Sequence, residues 1–144
     1  MKDYNKSTSW VRKGALFNIE IKQHIIPVHP VYNMGRGPFN WYLYAYVFKK
    51  HPLFDTFDID QDAYQAVTDK MPFHGGCTYL EPSYRGSKIS SIKVGCDYQH
   101  LDDDRFSHYE TLNENPEIVI DAQELYQYME STEAPSVAFA PESN

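Results

Sequence analysis

Two short polar stretches hold the residue types from which a reactive site can be assembled. One is His74-Gly75-Gly76, and the other runs from Asp97 through His100 to Asp102, Asp103 and Asp104. Imidazole and carboxylate together can ligate a divalent metal ion, or can exchange protons near neutral pH as general acid and base. Asp97 and His100 are three residues apart, a spacing that a tight loop can turn to one side. The glycines after His74 allow close approach of backbone or ligand. The candidate site is therefore His74, Asp97, His100 and Asp103, acting as metal ligands or as catalytic groups, with a divalent metal ion as candidate cofactor. A purely structural role fits the same residues. Asp97 can cap loop amides, His100 can bond to a carbonyl, and Asp102 to Asp104 can form a solvated turn. No HExxH, CxxC, G-x-S-x-G or P-loop pattern accompanies them.

The remaining polar features are less specific. Asp58-Ile59-Asp60-Gln61-Asp62 opens like a calcium loop, but Ala63 replaces the glycine of the sharp turn and Asp69 stands where a bidentate Glu belongs. Carboxylates gathered at the first turn of a helix, where the dipole favours them, explain the run more simply. Arg36 in a glycine loop and Arg85 beside Gly86 can hold a phosphate or make an ordinary surface contact. Cys77 and Cys96 have no partner at metal-ligand spacing and read as reduced thiols.

Charge narrows the partners. With 20 acidic residues against 13 basic ones, a net charge of -7 leaves no overall cationic footprint for phosphate backbones. Non-specific nucleic-acid binding is thus disfavoured. The acidity either keeps the chain soluble or steers it onto a basic protein surface. No apolar run is long enough to span a bilayer, and Met1 to Lys13 lacks the apolar stretch of a cleavable signal, so a cytosolic protein is expected.

These side chains need a scaffold, and the hydrophobic pattern predicts one of class α+β: a mostly antiparallel sheet of about four strands carrying one short and one longer helix. Leu16 to Ile26 alternates as a half-buried strand. Phe39 to Phe48 is apolar on both faces, with Phe39, Trp41, Leu43, Ala45 and Val47 on one and Tyr42, Tyr44, Tyr46 and Phe48 on the other. The tyrosine row is expected to be a covered sheet face rather than an exposed stacking platform. Cys77 to Leu80 and Lys88 to Asp97 form a hairpin across a longer loop, Pro82 to Ser87. Asp58 is placed to cap a short helix with a stripe of Ala63 or Tyr64, Val67 and Met71, stopped by Pro72. Asn115-Pro116 opens the longer helix, whose apolar face is Ile118, Val119, Ala122, Leu125, Tyr126 and Met129. The first dozen residues read as a loosely held arm anchored by Trp10 and Val11. One domain is expected over residues 1–130, with 131–144 as a mobile tail.

The motifs resemble those of a widespread, uncharacterised group of small phage and prophage proteins. The likeness begins at Tyr44 to Phe48 running into His51-Pro52-Leu53. It continues through His74-Gly75-Gly76-Cys77-Thr78-Tyr79 and Gly95-Cys96-Asp97-Tyr98-Gln99-His100-Leu101-Asp102-Asp103, and ends at the helix with Glu124 and Leu125. It departs at Cys77 and Asp102, where the group resembles Leu and Gly, and at Ile92 and Lys93, where tryptophans are usual. The resemblance implies a phage context and a polar site at His74, Asp97, His100 and Asp103, without a reaction.

Three functions fit these features. The first is a phage-encoded accessory protein that binds and inhibits a bacterial host protein, such as a defence component, in the host cytosol. The second is a metal-assisted hydrolase or nucleotide-handling enzyme built on His74, Asp97, His100 and Asp103. The third is a sponge that sequesters a nucleotide signal.

Overall fold

The computed structural model describes residues 5–27, 35–66 and 71–133. Within them lie five strands: β1 (Ser7–Lys13), β2 (Phe17–Ile25), β3 (Phe39–Phe48), β4 (Tyr79–Arg85) and β5 (Lys88–Asp97). They form one antiparallel sheet in the order β1-β2-β3-β5-β4. The helices are the single turn α1 (Ala63–Ala66) and the long α2 (Pro116–Glu133). The α+β class is as expected, with five strands in place of about four.

The additional strand is β1, formed by residues that read as an arm. Only alternate residues of an edge strand face the core, so here Thr8 and Trp10 turn inward among polar neighbours. Trp10 stacks on Trp41 with ring centroids 5.8 Å apart, which makes it the anchor expected of it. β4 also runs further than its apolar residues indicate. It continues through Pro82 to Arg85, because an edge strand can lack an N–H on its open side. Gly86, at φ +65°, and Ser87 then turn the chain into β5. The Pro82 to Ser87 segment is therefore mostly strand.

One sheet face carries the core. Ile19, Ala45 and Val94 lie side by side across β2, β3 and β5, as do Phe17, Val47 and Ile92. All of these are buried, together with Ile118, Leu125 and Met129 of α2, so the helix closes this face as its apolar stripe predicts. The Asn115 side chain accepts from the Ile118 amide at 3.3 Å, the expected cap. At the other end α2 continues to Glu133, whose carboxylate accepts from the Leu16 amide at 2.9 Å. Ser131 to Glu133 thus belong to the helix rather than to a tail, and 134–144 lie outside the described residues.

The shorter helix differs from expectation. Asp58 accepts from the Asp60 amide at 3.1 Å, closing a local turn ahead of α1 instead of capping it. Of the predicted stripe, Ala63 is half-buried and Met71 is buried, while Val67 lies outside the described residues. His51, one of the motif residues, is a satisfied core histidine. Its Nδ1 accepts from the Leu53 amide at 3.0 Å, so its Nε2 donates to the Met129 carbonyl, also at 3.0 Å.

Gly95 in the middle of β5 makes room for an aromatic ring. A Cβ there would lie 2.3 Å from the Tyr44 ring and 2.5 Å from the Leu43 carbonyl oxygen. Gly95→Ala should therefore cost about 1–3 kcal/mol through overpacking, read as a lower denaturant midpoint at unchanged slope. A midpoint equal to that of the parent would contradict the seating of Tyr44 over this glycine.

Candidate metal centre

The loop before β4 is laid against β5, because the Thr78 amide donates to the Gly95 carbonyl at 2.9 Å. Upstream, buried Met71 and Phe73 pin the chain, and the Gly76 amide donates to the Phe73 carbonyl at 3.1 Å to close a turn around His74. Gly75 and Gly76 both have positive φ, +71° and +90°. Gly75 is required twice over. Its backbone is left-handed, and a Cβ would come within 2.9 Å of the His100 ring.

The second loop leaves the sheet at Asp97. Tyr98 still donates its amide to the Trp41 carbonyl at 3.0 Å, and its buried ring stacks on His74 with centroids 4.5 Å apart. The Tyr98 hydroxyl donates to Asp121 of α2 at 2.7 Å, so the helix holds the ring on which His74 rests. Beyond it, the Asp103 amide donates to the His100 carbonyl at 3.0 Å and folds the loop back. Asp102 takes φ +78°, a left-handed conformation that glycine adopts freely and aspartate tolerates.

Both loops converge on the Asp103 carboxylate. His74 Nε2 lies 2.9 Å from each of its oxygens, and His100 Nδ1 lies 3.1 Å from Oδ2. The His100 backbone amide donates to the same Oδ2 at 2.9 Å and fixes the carboxylate. One donor atom from each of His74, His100 and Asp103 fits within a 4.8 Å span. The carboxylate is 6% exposed, whereas the His74 and His100 side chains are 26% and 35% exposed, so solvent reaches the imidazoles but scarcely the acid. Burial pushes the Asp103 carboxyl up. The hydrogen bonds from His74 and from the His100 amide, with the charge of His74, more than offset this and hold it below the ordinary value.

The other candidates are placed differently. Asp97 stands at the margin, with Oδ1 at 3.8 Å from His100 Nδ1 and accepting from the Gln99 amide at 3.1 Å. The expected loop-capping role of Asp97 is therefore present, and the convergent set is three residues rather than four. Asp104 is exposed, 4.0 Å from Arg36. Arg36 also donates to Asn40 at 2.6 Å, an intramolecular contact of the ordinary kind. Both cysteines are buried and unpaired, and burial pushes each thiol up, which makes them poor nucleophiles. An apolar crevice of about 240 Å³ between β1, β2 and α2, lined in part by Trp10, Ile21 and Val119, lies apart from these polar groups.

The tyrosine row has its own answer. Tyr44 is 7% exposed, while Tyr42 and Tyr46 are half-buried. Among the described residues, neighbours on the same sheet face shield Tyr44. Tyr42 stacks parallel to it, Tyr79 meets it edge-on, and Lys93 Nζ lies 4.0 Å from its ring centre. Sequence reading missed Lys93 and Tyr98. Strand alternation puts Lys93 on the face of Tyr44 and Tyr46, a signal that was present; nothing local marks Tyr98 as the support of His74.

Set beside known proteins, the chain matches no family model, no curated protein and no solved structure. Its class therefore rests on its own architecture: an α+β domain with a five-stranded antiparallel sheet and a His–Asp–His cluster where two loops meet beside β5. No helix among the described residues is long and apolar enough to cross a membrane.

The lowered carboxyl sets a pH signature. A group more acidic when folded stabilises the fold above its unfolded pKa, about 3.9 for Asp, and that contribution is lost as pH falls through the folded value. Asp103→Asn should therefore lower stability at neutral pH and flatten the acid limb below about pH 4, measured by urea unfolding across pH. Parallel pH profiles for the two proteins would show that Asp103 carries no such linkage.

Proposed function

We propose that this chain is a metal-dependent protein that holds a divalent transition ion on His74, His100 and Asp103, with metal-assisted hydrolysis as its chemistry. The observation that carries this reading is the convergence of two imidazole nitrogens, from loops far apart in sequence, on one buried carboxylate. A structural histidine–carboxylate pair needs one imidazole. Here there are two, both partly open to solvent. Ligands at about 2.0–2.1 Å from a tetrahedral zinc sit about 3.3 Å from one another; the two imidazole–carboxylate separations are 2.9 and 3.1 Å, and all three ligand atoms lie within 4.8 Å. The His74–Asp103 hydrogen bond stands where a cation would take over. Two histidines and one carboxylate suit zinc or ferrous iron, and three protein ligands leave a position for water or substrate.

Held by His74, His100 and Asp103, such an ion would supply Lewis acidity. The chain's own contribution is orientation. The His100 amide fixes the carboxylate, Tyr98 fixes the plane of His74, and Gly75 admits the His100 ring. Asp97, with Oδ1 3.8 Å from His100 Nδ1, would be the neighbouring carboxylate able to exchange a proton there.

A second reading keeps the protein as a phage-encoded binder that blocks a bacterial host factor. The specific support is the outer sheet face with Tyr42, Tyr46, Tyr79 and Lys93, residue types suited to contact surfaces, on a chain of net charge -7.

Metal analysis separates the two. Protein reconstituted with zinc or iron and freed of excess should retain close to one equivalent. His74→Ala and His100→Ala should each lose most of it while keeping the circular dichroism of the parent. Retention below a tenth of an equivalent in the folded parent protein would remove the metal reading.

A further inference from the structure

A second feature lies on the outer face, beside the His74–His100–Asp103 cluster but not part of it. A cleft of about 90 Å³ is lined by Tyr42, Tyr44, Thr78, Tyr79, Cys96 and Asp97. Its geometry follows from the strand register. Tyr42 of β3 is directly opposite Asp97 of β5, and Tyr79 of β4 is opposite Gly95, the residue that makes room for Tyr44. The Tyr42 and Tyr44 rings are nearly parallel, 6° apart in plane with centroids at 5.9 Å. The Tyr79 ring is inclined at 65° to Tyr44, with centroids at 5.3 Å. Three aromatic rings in two orientations thus border a small space that also holds a carboxylate.

We infer that this cleft binds an organic ammonium group, the cationic head of an amine or of a quaternary ammonium compound. Aromatic rings present negative π-faces, and grouped tyrosines with a carboxylate recognise alkylated ammonium ions. The protein already makes this interaction once on the same face. Lys93 Nζ lies 4.0 Å from the centre of the Tyr44 ring, 5.2 Å from Tyr46 and 5.5 Å from Tyr79. Lys93 is not among the residues that line the cleft, which Tyr42 and Asp97 border. The charges on this face are mixed: Lys93 and Lys22, the latter opposite Tyr42, stand against carboxylates. Glu20, bonded by the Tyr46 hydroxyl, and Glu81, bonded by the Tyr79 hydroxyl, add negative charge to the face. Burial first, then the neighbouring Tyr42, Tyr79 and Glu20, push the Tyr44 hydroxyl up and keep it neutral. The space suits a small head group better than a nucleobase with its ribose. Asp97 borders both the cleft and His100, so a ligand seated here would extend toward the metal cluster.

The assignment does not depend on a metal being bound, and its test is run without one. In the presence of a chelator, the full chain is titrated with choline and, separately, with 3,3-dimethylbutan-1-ol, which has the same shape and no charge. Chemical shifts of the tyrosine ring protons are followed. Saturable shifts with choline, at least tenfold weaker with the neutral alcohol, are expected. Tyr42→Ala and Asp97→Asn should each weaken choline binding about three- to tenfold, while Arg85→Ala, at the far hairpin end, should not. A lysine-containing peptide and its trimethyllysine form, titrated in the same way, distinguish a protein side chain from a free amine as the source of the cation. Equal response to choline and the alcohol, or no saturable shift with choline or either peptide, would overturn the inference. Loss of metal binding with choline binding intact would remove only the hydrolase reading.

Discussion

A carboxylate that is 6% exposed must be compensated where it stands, because the interior solvates charge poorly. Asp103 meets this demand with two imidazoles and one backbone amide, and much of the surrounding structure follows from it. His74 must reach it from the loop before β4, so that loop takes two left-handed glycines and is tied to Gly95 by a backbone hydrogen bond. His100 must reach it from only three residues away, so the segment folds back through Asp102 in a left-handed conformation. Tyr98 lies under His74 and is held in turn by Asp121 of α2. The helix on the core face and the polar cluster are therefore mechanically joined, although α2 supplies no residue to the cluster.

The sheet divides the protein into two chemical environments. Its inner face is a conventional core, with α2 packed on β2 and β3 and the buried residues of β5 continuing it. Its outer face is built from tyrosines that pack on each other, with Lys93 laid across them and glutamates accepting from their hydroxyls. Gly95 serves both environments. Without a Cβ it lets Tyr44 lie close to the sheet, and its carbonyl receives the loop that carries His74. The polar cluster and the tyrosine cleft meet through Asp97, which faces Tyr42 across the strands and His100 along the chain.

The elements with strong periodicity were legible in the sequence. Phe39 to Phe48 and Lys88 to Asp97 form strands with the expected bounds, and Asn115-Pro116 opens the long helix, because alternation, helical spacing and capping are local properties. Ser7 to Lys13 was not legible as a strand. Its polar residues face solvent at the sheet edge, and what holds it is pairing with β2 and one stacked tryptophan. The extent of β4 through Pro82 depended likewise on its having an open edge, and Asp58 bonds the Asp60 amide in a local turn instead of capping α1. The covered tyrosine face was half right: Tyr44 is buried, among the described residues by its own sheet neighbours.

Residue type and order by themselves determined which groups were available for chemistry, since His and Asp fall together in those two stretches beside glycines. They also determined the α+β class, through the two periods of the hydrophobic pattern. Tertiary structure alone decided that His74, His100 and Asp103 meet while Asp97 stands at the rim. That outcome depends on a loop before β4 lying against β5, so that His74 reaches Asp103 from 29 residues away, which no local pattern encodes; the turn that brings His100 to Asp103 is itself local.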